Sequence, residues 1–203
     1  MAIVAAPFRA KGGPRLTMRD AKRVAVLISG RGSNMRALVE QAIGYEVVLV
    51  ASNKPFAPGL EWARARGIPT WTWDSKGVAK EAFDRMISAA LDDHLVGTIA
   101  LAGFMRVLSP WFISEWQGRV LNIHPSLLPK YRGLDTHQRA LDAGDRVHGC
   151  SVHLVTEELD AGEVLGSREV PIVAGDDAGA LEKRVLEAEH ALYPKILSEF
   201  VTR

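Results

Sequence analysis

From Lys22 to Ile123, short apolar runs alternate with segments whose apolar residues recur at helical spacing. The runs RVAVLIS (Arg23–Ser29), EVVLVAS (Glu46–Ser52) and VGTIALAG (Val96–Gly103) are nearly continuous, as expected of strands covered on both faces. IPTWTWD (Ile68–Asp74) predicts a more amphipathic strand, and Val120–Ile123 a short buried one. Between them, NMRALVEQAI sets Met35, Leu38, Val39 and Ala42 on one side of a helix. A second helix is expected around Gly59–Arg66. AKEAFDRMISAALDD carries the stripe Phe83, Met86, Ile87 and Ala90, and a further helix near Pro110–Trp116 leads into the last strand. The alternation and short connections predict an α/β fold: a Rossmann-like, doubly wound, mostly parallel sheet with helices on both faces.

Beyond Arg132 the pattern changes. LDTHQRALDAG predicts a short helix stopped by Gly144. GCSVHLV and EVLGSREVPI are strand-like runs joined by the acidic turn TEELDAG (Thr156–Gly162). With no helix between them, they are expected to pair antiparallel. DDAGALEKRVLEAEHALYPKILSEFV predicts a long closing helix bent at Pro194. The opening stretch has no period and carries the breaker Gly12-Gly13-Pro14. Residues 1–21 are therefore read as a disordered or non-native extension, and 22–203 as a single domain.

Asn122 and His124 interrupt the Val120 run two residues apart, so strand geometry puts both side chains on one face near its carboxyl end. Pro125 ends the ladder, and Pro129 keeps the next segment from becoming helical. Ligands of open α/β sheets bind where strands end in this way. An amide and an imidazole there can donate to an oxyanion developing at a carbonyl carbon, and His124 can move a proton near neutral pH. Each reads equally well as a satisfied core or rim residue. In the acidic turn, Glu157 and Glu158 read as solvated, whereas Asp160 can fold inward. A carboxylate beside His124 favours the imidazolium form.

SGRGSN (Ser29–Asn34) joins the first strand to the first helix. Gly30 and Gly32 allow a tight turn, and Ser33 or Asn34 can cap the helix, whose free N–H groups favour an anion. The turn reads either as a structural connection or as a site for one phosphomonoester. Met35 stands where a dinucleotide fingerprint has its third glycine, and Ser52-Asn53 where it has an acid. No Gly-Lys-Ser/Thr follows either, so neither an NAD nor an ATP loop is present. LAGFMRVLSPWF (Leu101–Phe112) is either a buried helix start or a groove for a flat aromatic cofactor.

Composition narrows the partners. At 47% hydrophobic and 24% charged residues, the 203-residue chain has the make-up of an ordinary globular domain with a real core. Its 25 basic and 24 acidic residues are interspersed with no basic run, which argues against a nucleic-acid surface. No apolar run approaches the ~20 residues of a membrane span. The single cysteine, Cys150, excludes an internal disulfide and a cysteine-rich zinc site, and suits a cytoplasmic setting. His94, His137, His148, His153 and His190 lack metal-ligand spacing, so no metal is expected.

Five segments, VAVLISGRGSN, LAGFMRVLSP, LNIHPSLLPKYRG, SVHLVTEELDAG and EAEHALYP, resemble in order and spacing the glycinamide ribonucleotide formyltransferase family. The resemblance implies formyl transfer from 10-formyltetrahydrofolate to the amine of glycinamide ribonucleotide in purine (IMP) biosynthesis, without nicotinamide, flavin or metal. It implies Asn122, His124 and Asp160 as the catalytic trio, with Asp160 keeping His124 protonated. Gly32, Ser33 and Asn34 are implied at the ribonucleotide phosphate and Glu189 at its sugar. Met105, Arg106, Val107 and Leu108, with Asn122 and Val155, correspond to the folate site. Lys80 or Lys76 would meet the folate's glutamate tail. The implied partners are small molecules, and a monomer or weak homodimer is expected. Rival readings are a formyltetrahydrofolate hydrolase, which usually carries an N-terminal regulatory domain, and a non-catalytic folate or phosphoribosyl binding protein.

Overall fold

A computed structural model describes residues 19–203. The strands are β1 (Asp20–Ile28), β2 (Glu46–Ser52), β3 (Thr70–Thr72), β4 (Val96–Leu101), β5 (Val120–His124), β6 (Val147–Leu154) and β7 (Val164–Pro171). The helices are α1 (Ser33–Glu40), α2 (Pro58–Arg64), α3 (Lys80–Asp93), α4 (Pro110–Glu115), α5 (Thr136–Asp142) and α6 (Ala178–Val201). All the strands join one sheet in the order β3-β2-β1-β4-β5-β6-β7. The first five are parallel, while β6 pairs antiparallel with both β5 and β7, as the helix-free connection predicts. The reversal of strand order between β1 and β4 is the switch point where such sheets bind ligands at their carboxyl edge.

Alternation along β1 shows why its run is continuously apolar. Val24, Val26 and Ile28 pack with Met35 and Leu38 of α1, Leu60 of α2 and Leu192 and Tyr193 of α6. Ala25 and Leu27 face the other way, toward Phe83 and Ile87 of α3 and Phe112 and Trp116 around α4. Both faces are thus buried, and no polar position is tolerated in the middle of the strand. In the α3 stripe, Phe83, Ile87 and Ala90 are buried, while Met86 only packs at the margin of the core.

Two details differ from the sequence expectations, and a third feature is the expected closing helix with its internal proline. β1 starts at Asp20, and Arg19 already pairs with Asp92 at 2.8 Å and Glu115 at 2.9 Å, so the ordered domain begins ahead of residue 22. The remainder of the expected extension, residues 1–18, lies outside the described residues. The first turn of α1 follows Gly32 with no side-chain cap, since Asn34 is drawn elsewhere. Finally, α6 runs through Pro194 as one helix. Proline has no N–H for the carbonyl four residues back, and that carbonyl, His190 O, accepts from Gln41 Nε2 at 3.2 Å instead.

Tyr193 joins α6 to the site-bearing strands. Its fully buried hydroxyl shares its proton between Leu121 O at 3.0 Å and Leu101 O at 3.2 Å. Tyr193→Phe keeps the ring and leaves no cavity, so the lost hydrogen bond alone should lower stability by roughly 1–2 kcal/mol. Urea unfolding should show a lower midpoint at unchanged slope.

Candidate active site

The carboxyl edge of the sheet gathers two polar clusters. At the end of β1 the chain turns through Gly30 and Gly32, the latter at φ +70, where a side chain would be strained. Gly59 of α2 donates its N–H to Gly30 O at 3.1 Å and braces the turn. The uncapped N–H groups and dipole at the start of α1 make an anion-binding end. Asn34 points inward, donating from Nδ2 to Glu189 Oε2 of α6 at 2.7 Å, and its Oδ1 has no hydrogen-bond partner among the described residues. Burial raises the Glu189 carboxyl to about 7, despite the hydrogen bond from Asn34.

The second cluster lies on β5, β6 and the Thr156–Gly162 turn. Asn122 and His124 face the same side, opposite His153 and Ser151 of β6. His153 Nδ1 lies 2.8 Å from Leu154 O, so that nitrogen carries the proton and Nε2 accepts from Asn122 Nδ2 at 3.2 Å. His124 Nε2 donates to Tyr131 O at 2.9 Å, and its Nδ1 faces Asp160 Oδ2 at 3.4 Å. Asp160 also accepts from the Gly133 N–H at 2.9 Å, and its Oδ1 lies 3.6 Å from His153 Nε2. Burial pushes the Asp160 carboxyl up, but the polar groups around it, the Gly133 N–H and His124 among them, outweigh it and hold the group below its usual value.

His124 is pulled both ways. Burial lowers its pKa, while the Tyr131 carbonyl and Asp160 raise it, and burial prevails. The resemblance implies an imidazolium maintained by Asp160; in this geometry the carboxylate reduces, without cancelling, the preference for the neutral ring. Both ring nitrogens face oxygens, so only the imidazolium satisfies both contacts. A proton placed here is held loosely, which suits a general acid.

Comparison with known proteins decides the family. The formyl transferase family pattern matches residues 22–197. The chain belongs to the formyl transferase family. Phosphoribosylglycinamide formyltransferase of Escherichia coli K12 is 48% identical over 182 residues, covering 87% of this chain and 86% of that protein. The trifunctional purine biosynthetic protein adenosine-3 of Drosophila melanogaster is 47% identical over 187 residues, covering 89% of this chain but 14% of that much longer protein. A crystal structure of phosphoribosylglycinamide formyltransferase from Brucella melitensis superposes with a TM-score of 0.84 at 50% identity, covering 90% of this chain and 96% of that one.

Of the expected catalytic residues, His124 meets Asp160 while Asn122 reaches them only through His153, and Asn34 meets Glu189. Lys80 is exposed at the start of α3, whereas Lys76 sits in the preceding turn with its N–H on Asp74. Met105 and Val107 are 65% and 63% exposed, while Leu108 is a core residue at 9%. Arg106 donates from Nη2 to Val78 O at 3.2 Å and lies over the Phe83 ring. Val155 is half-buried beside them, with its N–H on Val120 O. His153, which contacts both Asn122 and Asp160, is the residue that metal-spacing arguments passed over. Its one sequence signal is its two-residue spacing from Ser151 on a strand, which becomes informative only once the β5–β6 register is known.

The Glu189 shift has a direct consequence for stability. The folded chain holds this proton up to about 7, against an ordinary value of 4.5. A raised pKa means the contribution is fully present below about pH 4.5 and is lost as pH rises through about 7. Glu189→Gln removes that dependence. The variant should exceed the wild type by about 3 kcal/mol at most near pH 8, with the difference vanishing near pH 4.5. Denaturant titrations at both pH values measure it.

Proposed function

We propose that the chain transfers the formyl group of 10-formyltetrahydrofolate to the amine of glycinamide ribonucleotide, giving formylglycinamide ribonucleotide and tetrahydrofolate in purine biosynthesis. The observation that carries the reading is the approach of Asp160 to His124, 3.4 Å away, with Asn122 on the same strand face. The phosphate of the ribonucleotide docks at Gly32, Ser33 and Asn34, and Glu189 takes the sugar. Strand β4 alone separates β1 from β5, so the phosphate turn and the trio lie roughly 10 Å apart, two strand spacings. Met105 and Val107 offer the pterin an apolar surface, and Lys80 offers the glutamate tail a cation.

In this reading the substrate amine attacks the formyl carbon, and negative charge develops on the formyl oxygen. Asn122 keeps one N–H on His153 and has a second for the oxyanion. His124 Nε2 reaches the same oxygen by giving up Tyr131 O, a neutral and therefore weaker acceptor. Collapse of the intermediate breaks the carbon–nitrogen bond to the folate. One proton leaves the attacking nitrogen and one arrives on the departing folate nitrogen, and the His124–Asp160 pair handles both.

A monomer or weak homodimer acting on small molecules belongs to the same reading. The buried single thiol, Cys150, supports a cytoplasmic setting. Among the described residues, no helix is long and apolar enough to cross a membrane.

A formyl-transfer assay, following release of the folate product with and without glycinamide ribonucleotide, tests the reading. Release should require the ribonucleotide; release without it points to a hydrolase. His124→Ala should lower kcat by roughly 10³-fold, with ribonucleotide binding within a few-fold of wild type. Unchanged turnover in that variant overturns the role given to His124.

A further inference from the structure

We propose that Ser29 and Asp84 are positioning residues that grip the Met105–Leu108 segment at its two ends and so set the affinity for the folate. This rests on the reading of that segment as the folate wall.

The segment joins β4 to α4 without regular structure. Its residues divide by direction: Phe104 and Leu108 are core at 9% exposure each, while Met105 and Val107 turn outward. An exposed apolar surface on an irregular loop is a useful wall only if its backbone is fixed, because ordering it during binding weakens affinity. Two buried acceptors from other elements supply that fixation. The Met105 N–H donates to Ser29 Oγ at 2.7 Å, and the Ser109 N–H to Asp84 Oδ2 at 2.6 Å.

Each anchor is itself aimed. The Ser29 hydroxyl gives its proton to Asn53 Oδ1 at 2.6 Å, which turns its lone pairs toward Met105. The backbone N–H of Ser29 also donates to Gly103 O at 3.1 Å, so one residue holds the start of the segment twice. Ser29 directly follows β1 and precedes Gly30 of the phosphate turn, and this anchor therefore references the folate wall to the ribonucleotide site.

Asp84 is fully buried on α3, and its Oδ1 has no hydrogen-bond partner among the described residues. A buried carboxylate with an unmatched oxygen costs stability, so packing alone does not explain it. Arg106, inside the gripped segment, adds a favourable charge interaction with Asp84. Ser109 in turn caps α4, accepting from the Phe112 N–H at 3.2 Å. Asp84 thus fixes the point where the wall becomes helix.

The test separates the grip from the wall. Ser29→Ala and Asp84→Ala should each raise KM for 10-formyltetrahydrofolate about tenfold, the scale of one lost hydrogen bond. kcat and KM for the ribonucleotide should stay within about twofold, because uniform folate binding is what is lost. Asp84→Asn, whose amide oxygen still accepts from Ser109, should restore KM to within about threefold of wild type. Hydrogen exchange should quicken at the Met105 amide in Ser29→Ala and at the Ser109 amide in Asp84→Ala. If Asp84→Ala does not fold, Ser29→Ala carries the test, since alanine fits wherever serine does.

Val107→Asp probes the wall directly. If Val107→Asp raises the folate KM while Ser29→Ala and Asp84→Ala leave it unchanged, the grip is overturned. If ribonucleotide KM rises along with folate KM in Ser29→Ala, that residue serves the phosphate turn instead, and its part in the proposal fails. If Val107→Asp leaves the folate KM unchanged, the wall reading itself fails, and the exchange rates still report whether the two anchors hold the segment.

Discussion

The contact between His124 and Asp160 depends on a turn being pressed against a strand end. Asp160 sits at φ +49, a left-handed conformation that costs a non-glycine residue about 1–2 kcal/mol and is tolerated best by Asp and Asn. Two residues later, a Cβ at Gly162 would lie 1.8 Å from Leu154 O, so only glycine lets the turn close onto the end of β6. The carboxylate is then tied by the Gly133 N–H and reaches His124 from the opposite side to Tyr131. If the turn lifted, His124 would lose the charge that opposes its burial, and the loop at Gly133 would lose its anchor.

Placement of Asn122 follows from the same edge of the sheet. In the antiparallel register Asn122 lies directly opposite His153, so the amide is oriented by its cross-strand neighbour. A parallel strand in the position of β6 would need a crossover connection and would not bring the acidic turn back over β5. The change from parallel to antiparallel pairing therefore does more than terminate the sheet. It brings Ser151, His153 and Asp160, all distant in sequence, to the end of the strand that carries Asn122 and His124.

Stability is given up at several of these positions. Glu189, Asp84 and His124 are buried titratable groups, and Asn34 Oδ1 and Asp84 Oδ1 lack hydrogen-bond partners among the described residues. The cost is carried by the apolar core, to which α6 alone contributes Leu181, Val185, Leu192, Tyr193, Ile196 and Leu197. Buried polar groups that their neighbours already orient, as His153 orients Asn122, need little reorganisation when charge develops, which is the advantage gained for the lost stability.

Local sequence determined the elements. Continuous apolar runs made β1, β2 and β4 buried strands, helical spacing made α3 and α6, and the helix-free link between β6 and β7 made them antiparallel, because covered faces and short connections leave few other solutions. The two-residue spacing of Asn122 and His124 likewise sufficed to put them on one face. Sequence did not reveal that Asn34 would bond to Glu189 rather than cap α1, that His153 would orient Asn122, or that Ser29 would hold Met105. Nor did it reveal that burial would outweigh Asp160 in setting the charge of His124. Periodicity and turn chemistry act between near neighbours along the chain. Hydrogen-bond partners and desolvation depend on which distant segments arrive at the same place, and only the packed sheet and its final register decide that.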